Sequence, residues 1–371
     1  MSQIKRFLAQ ALAGLAFVAA AMSTGGASAE DKVVNVYNWS DYIDTSILTD
    51  FTKETGIKVV YDVFDSNELV ETKLLTGGTG YDVVVPTGSF LARQIKAGVF
   101  QKLDKAKLPN LKYMDPEIMK RLAVYDPGNQ YAIDYMWGTT GLGLNVKEVQ
   151  KRLGKDQPLD TWALLFDPKL AAKLADCGIY VLDTADEVVP AALIYLGLDP
   201  NSNDPKDLAK VKDLLMKIRP YIRKFHSSEY IQALANGDIC MAHGWSGDVL
   251  QARDRAKEAK QGVEIKYVIP REGAVIWLDN MAIPADAPHP GNALTFMNYI
   301  MRPEVIAKST NVVNYASGNL AAKKYVNKDI LDDPGVYPPA ATMKRLTAIL
   351  PKDPKAQRLQ TRLWTSIVTG Q

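Results

Sequence analysis

The sequence predicts an α/β fold of two lobes, each with a mainly parallel β-sheet flanked by helices. Two observations carry this prediction. Short apolar strands alternate with amphipathic helices across short loops, a pattern that builds parallel sheets covered by helices. About 340 residues remain after an N-terminal export signal, which is more than one hydrophobic core usually organises, so two lobes are expected.

The first 29 residues have the pattern of a cleaved signal peptide. Lys5 and Arg6 precede a mainly apolar stretch over 7–22, and Ala27-Ser28-Ala29 supplies the small residues of a cleavage site. The apolar stretch is too short and too interrupted to span a membrane. We therefore expect a soluble exported protein that begins near Glu30.

Net charge and cysteine count narrow the class of protein further. Without Lys5 and Arg6, 42 basic residues stand against 42 acidic ones, and this balance argues against nucleic-acid binding. The two cysteines, Cys177 and Cys240, favour a disulfide in an oxidising compartment. Two separate buried thiols are the alternative.

The first lobe follows from strand and helix signals in order. Ile47, Leu48 and Phe51 share one helical face, and Asp65-Ser66-Asn67-Glu68 has capping-box spacing. Ligands of parallel sheets bind beyond the carboxyl ends of the strands. The expected elements are strands over 33–39, 58–64 and 81–86, and helices over 44–56, 65–77 and 89–97.

A second lobe begins after Gly138 to Gly143, which we interpret as a flexible crossover because its glycine spacing does not fit a dinucleotide-binding loop. We place the first lobe at 30–136 with about 256–308, and the second at 137–255 with about 309–371. Its expected elements are strands over 179–182 and 239–245 and helices over 187–196, 249–259 and 359–368, with strands over 265–269 and 280–284 that return to the first lobe.

Aromatic residues stand beside acidic ones at predicted strand ends and loops. A ring face attracts an organic cation, and a carboxylate accepts a charge-assisted hydrogen bond from it. A core tryptophan and a helix-capping aspartate are the ordinary alternative for any one pair. The pairs are Trp39 and Tyr42 with Asp41, Trp245 with Asp248, and Trp277 with Asp279, and Glu187 and Tyr315 are further candidates.

Other motifs fail on spacing. Around Ser246 the second glycine comes one residue too early for a nucleophile elbow, so an exported hydrolase that uses Ser246 and His243 is a minor alternative. The loop at 199–203 lacks the turn glycine and the final glutamate of a calcium loop, and the three histidines have no zinc spacing. We expect no catalytic residues, no metal and no cofactor.

Three segments carry a resemblance to a known family. They are VYNWSDYI over 36–43, YDVFDSNE over 61–68, and ANGDIC over 235–240 with GWSGD over 244–248. These segments resemble those of periplasmic polyamine-binding proteins, the putrescine- and spermidine-capturing components of ABC transporters. The resemblance extends over nearly the whole mature chain.

The resemblance implies a type II periplasmic-binding-protein (Venus-flytrap) fold, with crossover strands as the hinge between two lobes. It also implies a periplasmic location, a polyamine ligand, an inner-membrane ABC permease as partner, and no catalysis. We expect a monomer. By position, the implied ligand-binding residues are the aromatic box Trp39, Tyr42, Trp245, Trp277 and Tyr315, the carboxylates Asp41, Glu187, Asp248 and Asp279, and the polar contacts Ser40 and Thr87.

Trp277 bears on ligand length. Putrescine-preferring members of the family often have phenylalanine at this place, and an indole offers a longer π-face to a central ammonium. The sequence therefore favours spermidine, with putrescine as the alternative. A ligand-loaded sensor for a receptor is the alternative to a transport role.

Overall fold

A mixed β-sheet is the framework of the computed structural model, which describes residues 30–371. The predicted signal peptide, 1–29, lies outside the described residues. Within residues 30–371 the sheet has eleven strands: β1 Val33–Trp39, β2 Lys58–Phe64, β3 Val83–Val84, β4 Ala132–Asn145, β5 Ile179–Val181, β6 Lys224–Phe225, β7 Met241–Trp245, β8 Ile265–Val268, β9 Ala274–Ala282, β10 Ala316–Ser317 and β11 Leu346–Ala348.

Helices connect these strands. In the described part of the chain they are α1 Ser46–Thr55, α2 Asn67–Thr76, α3 Gly88–Lys96, α4 Pro116–Leu122, α5 Val146–Leu153, α6 Ala163–Phe166, α7 Pro168–Leu174, α8 Ala185–Tyr195, α9 Pro205–Ile218, α10 Tyr230–Asn236, α11 Ser246–Ala259, α12 Pro290–Ile300, α13 Pro303–Val313, α14 Lys328–Leu331, α15 Ala340–Met343 and α16 Pro354–Thr369. Short 3-10 helices lie at Lys105–Lys107, Pro109–Tyr113, Arg219–Tyr221 and Leu320–Tyr325. Between residues 30 and 371, every helix is too short or too polar to cross a membrane.

The strand order divides the sheet into two parallel halves that share two central strands. The order is β2-β1-β3-β9-β4-β7-β5-β6, with β8 and β10 paired to β4 and β11 paired to β9. Strands β1, β2 and β3 are parallel to one another, as are β5, β6 and β7. Strands β4 and β9 run antiparallel between the halves and join them. This arrangement confirms the predicted parallel sheets and crossover strands, while the proposed lobe limits stay a prediction.

The glycine-rich segment Gly138 to Gly143 corrects one sequence interpretation. It is no flexible link but the middle of β4, and all fourteen residues of that strand are buried. The glycines are required by close neighbours. A Cβ at Gly141 would lie 2.3 Å from the Val268 carbonyl oxygen, and one at Gly138 would lie 2.6 Å from the Trp277 ring. Packing, and not flexibility, therefore explains these glycines.

Helix packing and capping interactions position the ends of the strands that face the ligand cavity. In the first half, Ile47 and Phe51 anchor α1 in the core, and Gly56 ends it in the left-handed conformation at φ 72°. The Ser66 hydroxyl caps α2 by accepting the backbone N–H of Leu69 at 3.3 Å, as the capping-box spacing predicts. Strand β1, which α1 follows, ends at Trp39. In the second half of the sheet, β7 ends at Trp245.

Cys177 and Cys240 form the disulfide that the cysteine count favours. Their Cα atoms lie 5.5 Å apart, and the bond closes a loop of 63 residues. Cys177 precedes β5 and Cys240 precedes β7, which are parallel neighbours in the sheet. Closing a loop of that length reduces the entropy of the unfolded chain, a stabilisation of about 4 kcal/mol in the chain-entropy model.

Replacing both cysteines, C177A/C240A, should lower the free energy of unfolding by about 2–5 kcal/mol because the unfolded chain regains that entropy. Urea unfolding followed by circular dichroism measures the change. Wild-type protein under reducing conditions is the matched control, since it loses the bond but keeps the sulfur atoms. An unchanged midpoint in both samples would show that the bond does not stabilise the fold.

Candidate functional site

A cavity that is open to solvent, with about 980 Å³ of empty space including its mouth, lies between the strand ends of the two half-sheets. It brings together ten of the eleven residues that the sequence assigned to a ligand site. Those residues are Trp39, Ser40, Tyr42, Thr87, Glu187, Trp245, Asp248, Trp277, Asp279 and Tyr315.

All charged side chains that line this cavity are acidic. Seven carboxylates line it, and no lysine, arginine or histidine belongs to the lining within residues 30–371. Water-poor surroundings strengthen each electrostatic contact, so such a site strongly favours a cation over a neutral or anionic ligand. The seven acids are Asp65, Glu68, Asp183, Asp186, Glu187, Asp248 and Asp279.

Aromatic rings form the walls. The Trp39 and Trp245 rings meet at 5.9 Å between centroids, and the two residues end strands in opposite halves of the sheet. Tyr315 lies 5.1 Å from Tyr42 and 5.3 Å from Trp277, both at steep interplanar angles. Steep, edge-to-face packing of this kind is favourable for aromatic rings, and ring faces attract organic cations.

Hydrogen bonds hold two of the indoles in place. The Trp39 Nε1–H donates to the Val85 carbonyl oxygen at 2.9 Å. The Trp277 Nε1–H donates to Thr140 Oγ1 at 3.2 Å, and that hydroxyl donates to Glu187 Oε2 at 2.6 Å. Strand β4 thus links an aromatic wall to an acid on helix α8, so both are positioned by the shared central strand.

Asp279 is an acid of β9 enclosed by hydroxyl groups. Tyr42 donates to its Oδ2 at 3.0 Å, and Thr87 donates to its Oδ1 at 2.6 Å. The pKa of Asp279 is raised to about 7, chiefly by burial and also by the nearby Asp248 carboxylate, while the two hydroxyl donors oppose the shift. A cation in the cavity would favour the ionised form.

Asp248, in the first turn of α11, is held by two tyrosines. Tyr230 donates to its Oδ2 and Tyr315 to its Oδ1, both at 2.7 Å, while the Asp248 backbone N–H donates to the Tyr315 hydroxyl at 3.1 Å. Burial raises the pKa of Asp248 to about 6, although both hydroxyls oppose it. Trp245 occupies the N-cap position of this helix, so Asp248 is not its capping residue.

Glu187 is the third enclosed acid. Its pKa is raised to about 8, chiefly by burial and also by the charges of Asp186 and Asp279, while hydrogen bonds from Thr140 and Trp245 oppose the shift. It lies in the first turn of α8, where a helix N-terminus stabilises negative charge. Acids that raise one another's pKa indicate a site suited to a cation, because a cation would favour their ionised forms.

Asp41 is the one predicted ligand residue outside the lining. Its side chain is about half exposed, and its Oδ1 forms an ion pair with Arg255 Nη2 at 3.2 Å. The residue has a left-handed backbone conformation, with φ at 52°, which turns the chain after β1. Its assignment as an ammonium ligand stays a prediction.

Four of the lining acids are not among the predicted ligand residues. Asp65 follows β2, at a strand end where the sequence did predict a ligand, and Asp183 follows β5, where the same rule could have found it. Glu68 and Asp186 lie in the first turns of α2 and α8, where an acid is usually only a favourable helix-end charge. No local pattern separates those two from ordinary helix starts.

The alternative serine hydrolase finds no support in the geometry. The Ser246 hydroxyl accepts the Thr139 backbone N–H at 3.3 Å. Both ring nitrogens of His243 are buried without a hydrogen-bond partner among the described residues, and burial lowers the pKa of His243 to about 3. A general base must contact its nucleophile, and this histidine packs on Trp162 instead. Within residues 30–371, no cluster of three or more His, Cys, Asp or Glu side chains could hold a metal ion.

Comparison with known proteins gives close relatives over nearly the full length. The chain is 53% identical over 344 residues to the putrescine-binding periplasmic protein SpuD of Pseudomonas aeruginosa, covering 93% of this chain and 94% of that protein. It is 50% identical over 368 residues to the putrescine-binding periplasmic protein PotF of Escherichia coli, covering 99% of each.

Solved structures of substrate-binding proteins have the same fold as this chain. The spermidine/putrescine ABC transporter substrate-binding protein PotD of Streptococcus pneumoniae superimposes with a TM-score of 0.76 at 30% identity, covering 91% of this chain and 99% of that one. Such neighbours share the two-lobed fold predicted here. The model of the bacterial extracellular solute-binding proteins matches residues 46–339. This chain therefore belongs to the bacterial extracellular solute-binding protein family.

Proposed function

We propose that this protein captures a polyamine, spermidine or putrescine, in the periplasm and delivers it to an ABC transporter of the inner membrane. The observation that carries the proposal is the cavity with seven lining carboxylates and no basic residue of the described chain. Relatives named as putrescine-binding periplasmic proteins, at 53% and 50% identity, support it.

The cavity matches the chemistry of a linear polyamine, which has charged ends and apolar methylenes. An alkylammonium gains about 0.5–2 kcal/mol over an aromatic face, and more as water is excluded. A micromolar affinity corresponds to about −8 kcal/mol, so several such contacts must act together. Enclosure between two lobes provides them, and β4 and β9 are the strands that join the two half-sheets.

The enclosed acids take distinct roles in this proposal. Asp248 and Asp279 share one ammonium, because the Asp248 charge raises the pKa of Asp279. Their tyrosine donors, Tyr315 and Tyr42, also pack against each other. Glu187 binds the next ammonium along the ligand. Trp39, Trp245 and Trp277 cover the methylenes, and Ser40 and Thr87 are the lesser polar contacts.

Ligand length is the finer part of the proposal. Four further acids, Asp65, Glu68, Asp183 and Asp186, extend the lining beyond the three enclosed ones. Of these, Asp65, Glu68 and Asp183 supply negative charge for a third ammonium, and the indole of Trp277 offers a long face to a central one. We therefore propose that the site binds spermidine in addition to putrescine.

The proposal includes no chemical step. The relatives are named as binding proteins, and Ser246 and His243 do not form the contact that nucleophilic catalysis requires. Hydrolase activity that disappears in S246A would contradict this part of the proposal.

Calorimetric titration with putrescine, cadaverine, spermidine, spermine and agmatine tests the ligand class. We expect saturable binding of putrescine and spermidine, and a melting temperature that rises with ligand concentration because only the folded protein binds. A neutral polyol and a diacid serve as controls of other charge. If millimolar putrescine and spermidine leave the melting temperature unmoved, the polyamine proposal fails.

The variants Trp245→Ala and Asp248→Asn should each weaken polyamine binding at least tenfold, or about 1.4 kcal/mol. The first removes an aromatic wall, and the second removes the charge of a buried carboxylate that lines the cavity. Asp254→Asn is the matched control, since it lies on the same helix outside the cavity lining. Unchanged affinity in both variants would show that Trp245 and Asp248 have only structural roles, in the core and in the helix.

Polyamine affinity should rise between pH 5.5 and pH 8. Without a bound cation, the raised pKa values of Glu187 (about 8), Asp279 (about 7) and Asp248 (about 6) keep protons on these acids over part of this pH range. A bound ammonium favours the ionised forms, so binding releases protons and weakens as pH falls, by about tenfold per pH unit for each proton released.

Calorimetry at pH 7 in two buffers of different ionisation enthalpy measures this proton release. Asp279→Asn should reduce the number of protons released, because it removes one of the titrating groups. Equal binding enthalpies in both buffers would contradict the expected linkage.

A further inference from the structure

One internal ammonium reaches the acidic lining. Lys352, between β11 and α16, forms an ion pair from its Nζ to Asp186 Oδ1 at 3.1 Å. The exposed fractions of the two side chains are only 9% and 15%, and Gln360 donates to the same oxygen at 2.8 Å. The pair is therefore held in place and largely shielded from water.

This pairing is exceptional among the lining acids. Of the seven, only Asp186 has an ion pair with a lysine or arginine of residues 30–371. The Asp183 carboxylate accepts the Trp364 Nε1–H at 3.1 Å, and the Glu68 carboxylate accepts the Ser66 hydroxyl at 2.9 Å. These donors are neutral and neither acid forms an ion pair within residues 30–371, whereas Asp186 is paired with Lys352.

The lysine ammonium is chemically the same group as the end of a polyamine. It sits on a carboxylate that lines the proposed ligand cavity and is next in sequence to Glu187. A ligand ammonium that approached Asp186 would meet a carboxylate already paired and a like charge beside it. Like charges that share a site repel, so the ligand gains nothing there.

We propose that Lys352 acts as a tethered ammonium that closes one end of the cation site and so limits the length of the polyamine. This inference rests on the proposed polyamine function. Removing the lysine charge turns Asp186 into an additional ammonium subsite, and the ligand that uses it is a linear tetraamine.

Lys352→Met tests the inference, because it keeps the aliphatic stem and removes the charge. Calorimetry should show the ratio of spermine to putrescine affinity rising at least tenfold relative to wild type. Lys355→Met is the matched control: it makes the same charge change on an exposed residue three positions away, and it should leave the ratio unchanged. Equal ratios in K352M and wild type would overturn the inference.

A second substitution separates a local subsite from a general charge effect. In K352M/D186N the freed carboxylate is absent, so the ratio of spermine to putrescine affinity should return to the wild-type value. A gain that persists in this double variant, or one that K355M reproduces, would show long-range electrostatics and overturn the proposal.

Asp186→Asn alone keeps the test decisive if K352M does not fold. That variant leaves the Lys352 charge uncompensated at the end of the cavity, so spermine should lose more affinity than putrescine. Equal losses for both ligands would overturn the inference. Wild-type protein that binds none of the polyamines would instead refute the proposed function, which keeps the two failures distinct.

Discussion

The structure depends on enclosing negative charge without a positive partner of its own. Glu187, Asp248 and Asp279 are buried acids, and an ionised carboxylate costs several kcal/mol to take out of water alone. Hydroxyl donors offset part of that cost, and the raised pKa values accommodate the rest as bound protons. A ligand cation relieves the same strain by replacing those protons. Selectivity for charge is thus built into the empty site.

Contacts between distant parts of the chain assemble that site. The Tyr315 hydroxyl reaches Asp248, 67 residues away, and Tyr42 reaches Asp279, 237 residues away. Strand β10, which follows Tyr315 directly, pairs with the central strand β4 and fixes the C-terminal segment against the cavity. The site therefore forms only when both halves of the sheet are assembled, because the tyrosine donors and the carboxylates that accept from them lie on different elements.

Sequence reasoning succeeded where the signal is local. The strand-helix alternation predicted the sheet, and the aromatic-acid pairs gave Trp39 and Trp245 at strand ends. The pair of Trp277 with Asp279 also lines the cavity, but it lies inside β9 and not at a strand end or loop. It interpreted Gly138 to Gly143 as a flexible crossover and not as part of a buried strand, because the neighbours that require glycine there come from distant parts of the chain. It could not foresee Lys352 on Asp186 either, since 166 residues separate the two and neither position has a periodic or spacing signal.

The close approach of Gly138 to Trp277 has an evolutionary consequence. Because a Cβ at position 138 would meet the indole at 2.6 Å, the residue on β4 and the ring on β9 are coupled in size. Alanine at 138 would be compatible only with a smaller or shifted aromatic at 277. Substitutions at the two positions should therefore show epistasis, and a lineage that changes its ligand through residue 277 is constrained in the order in which those substitutions can occur.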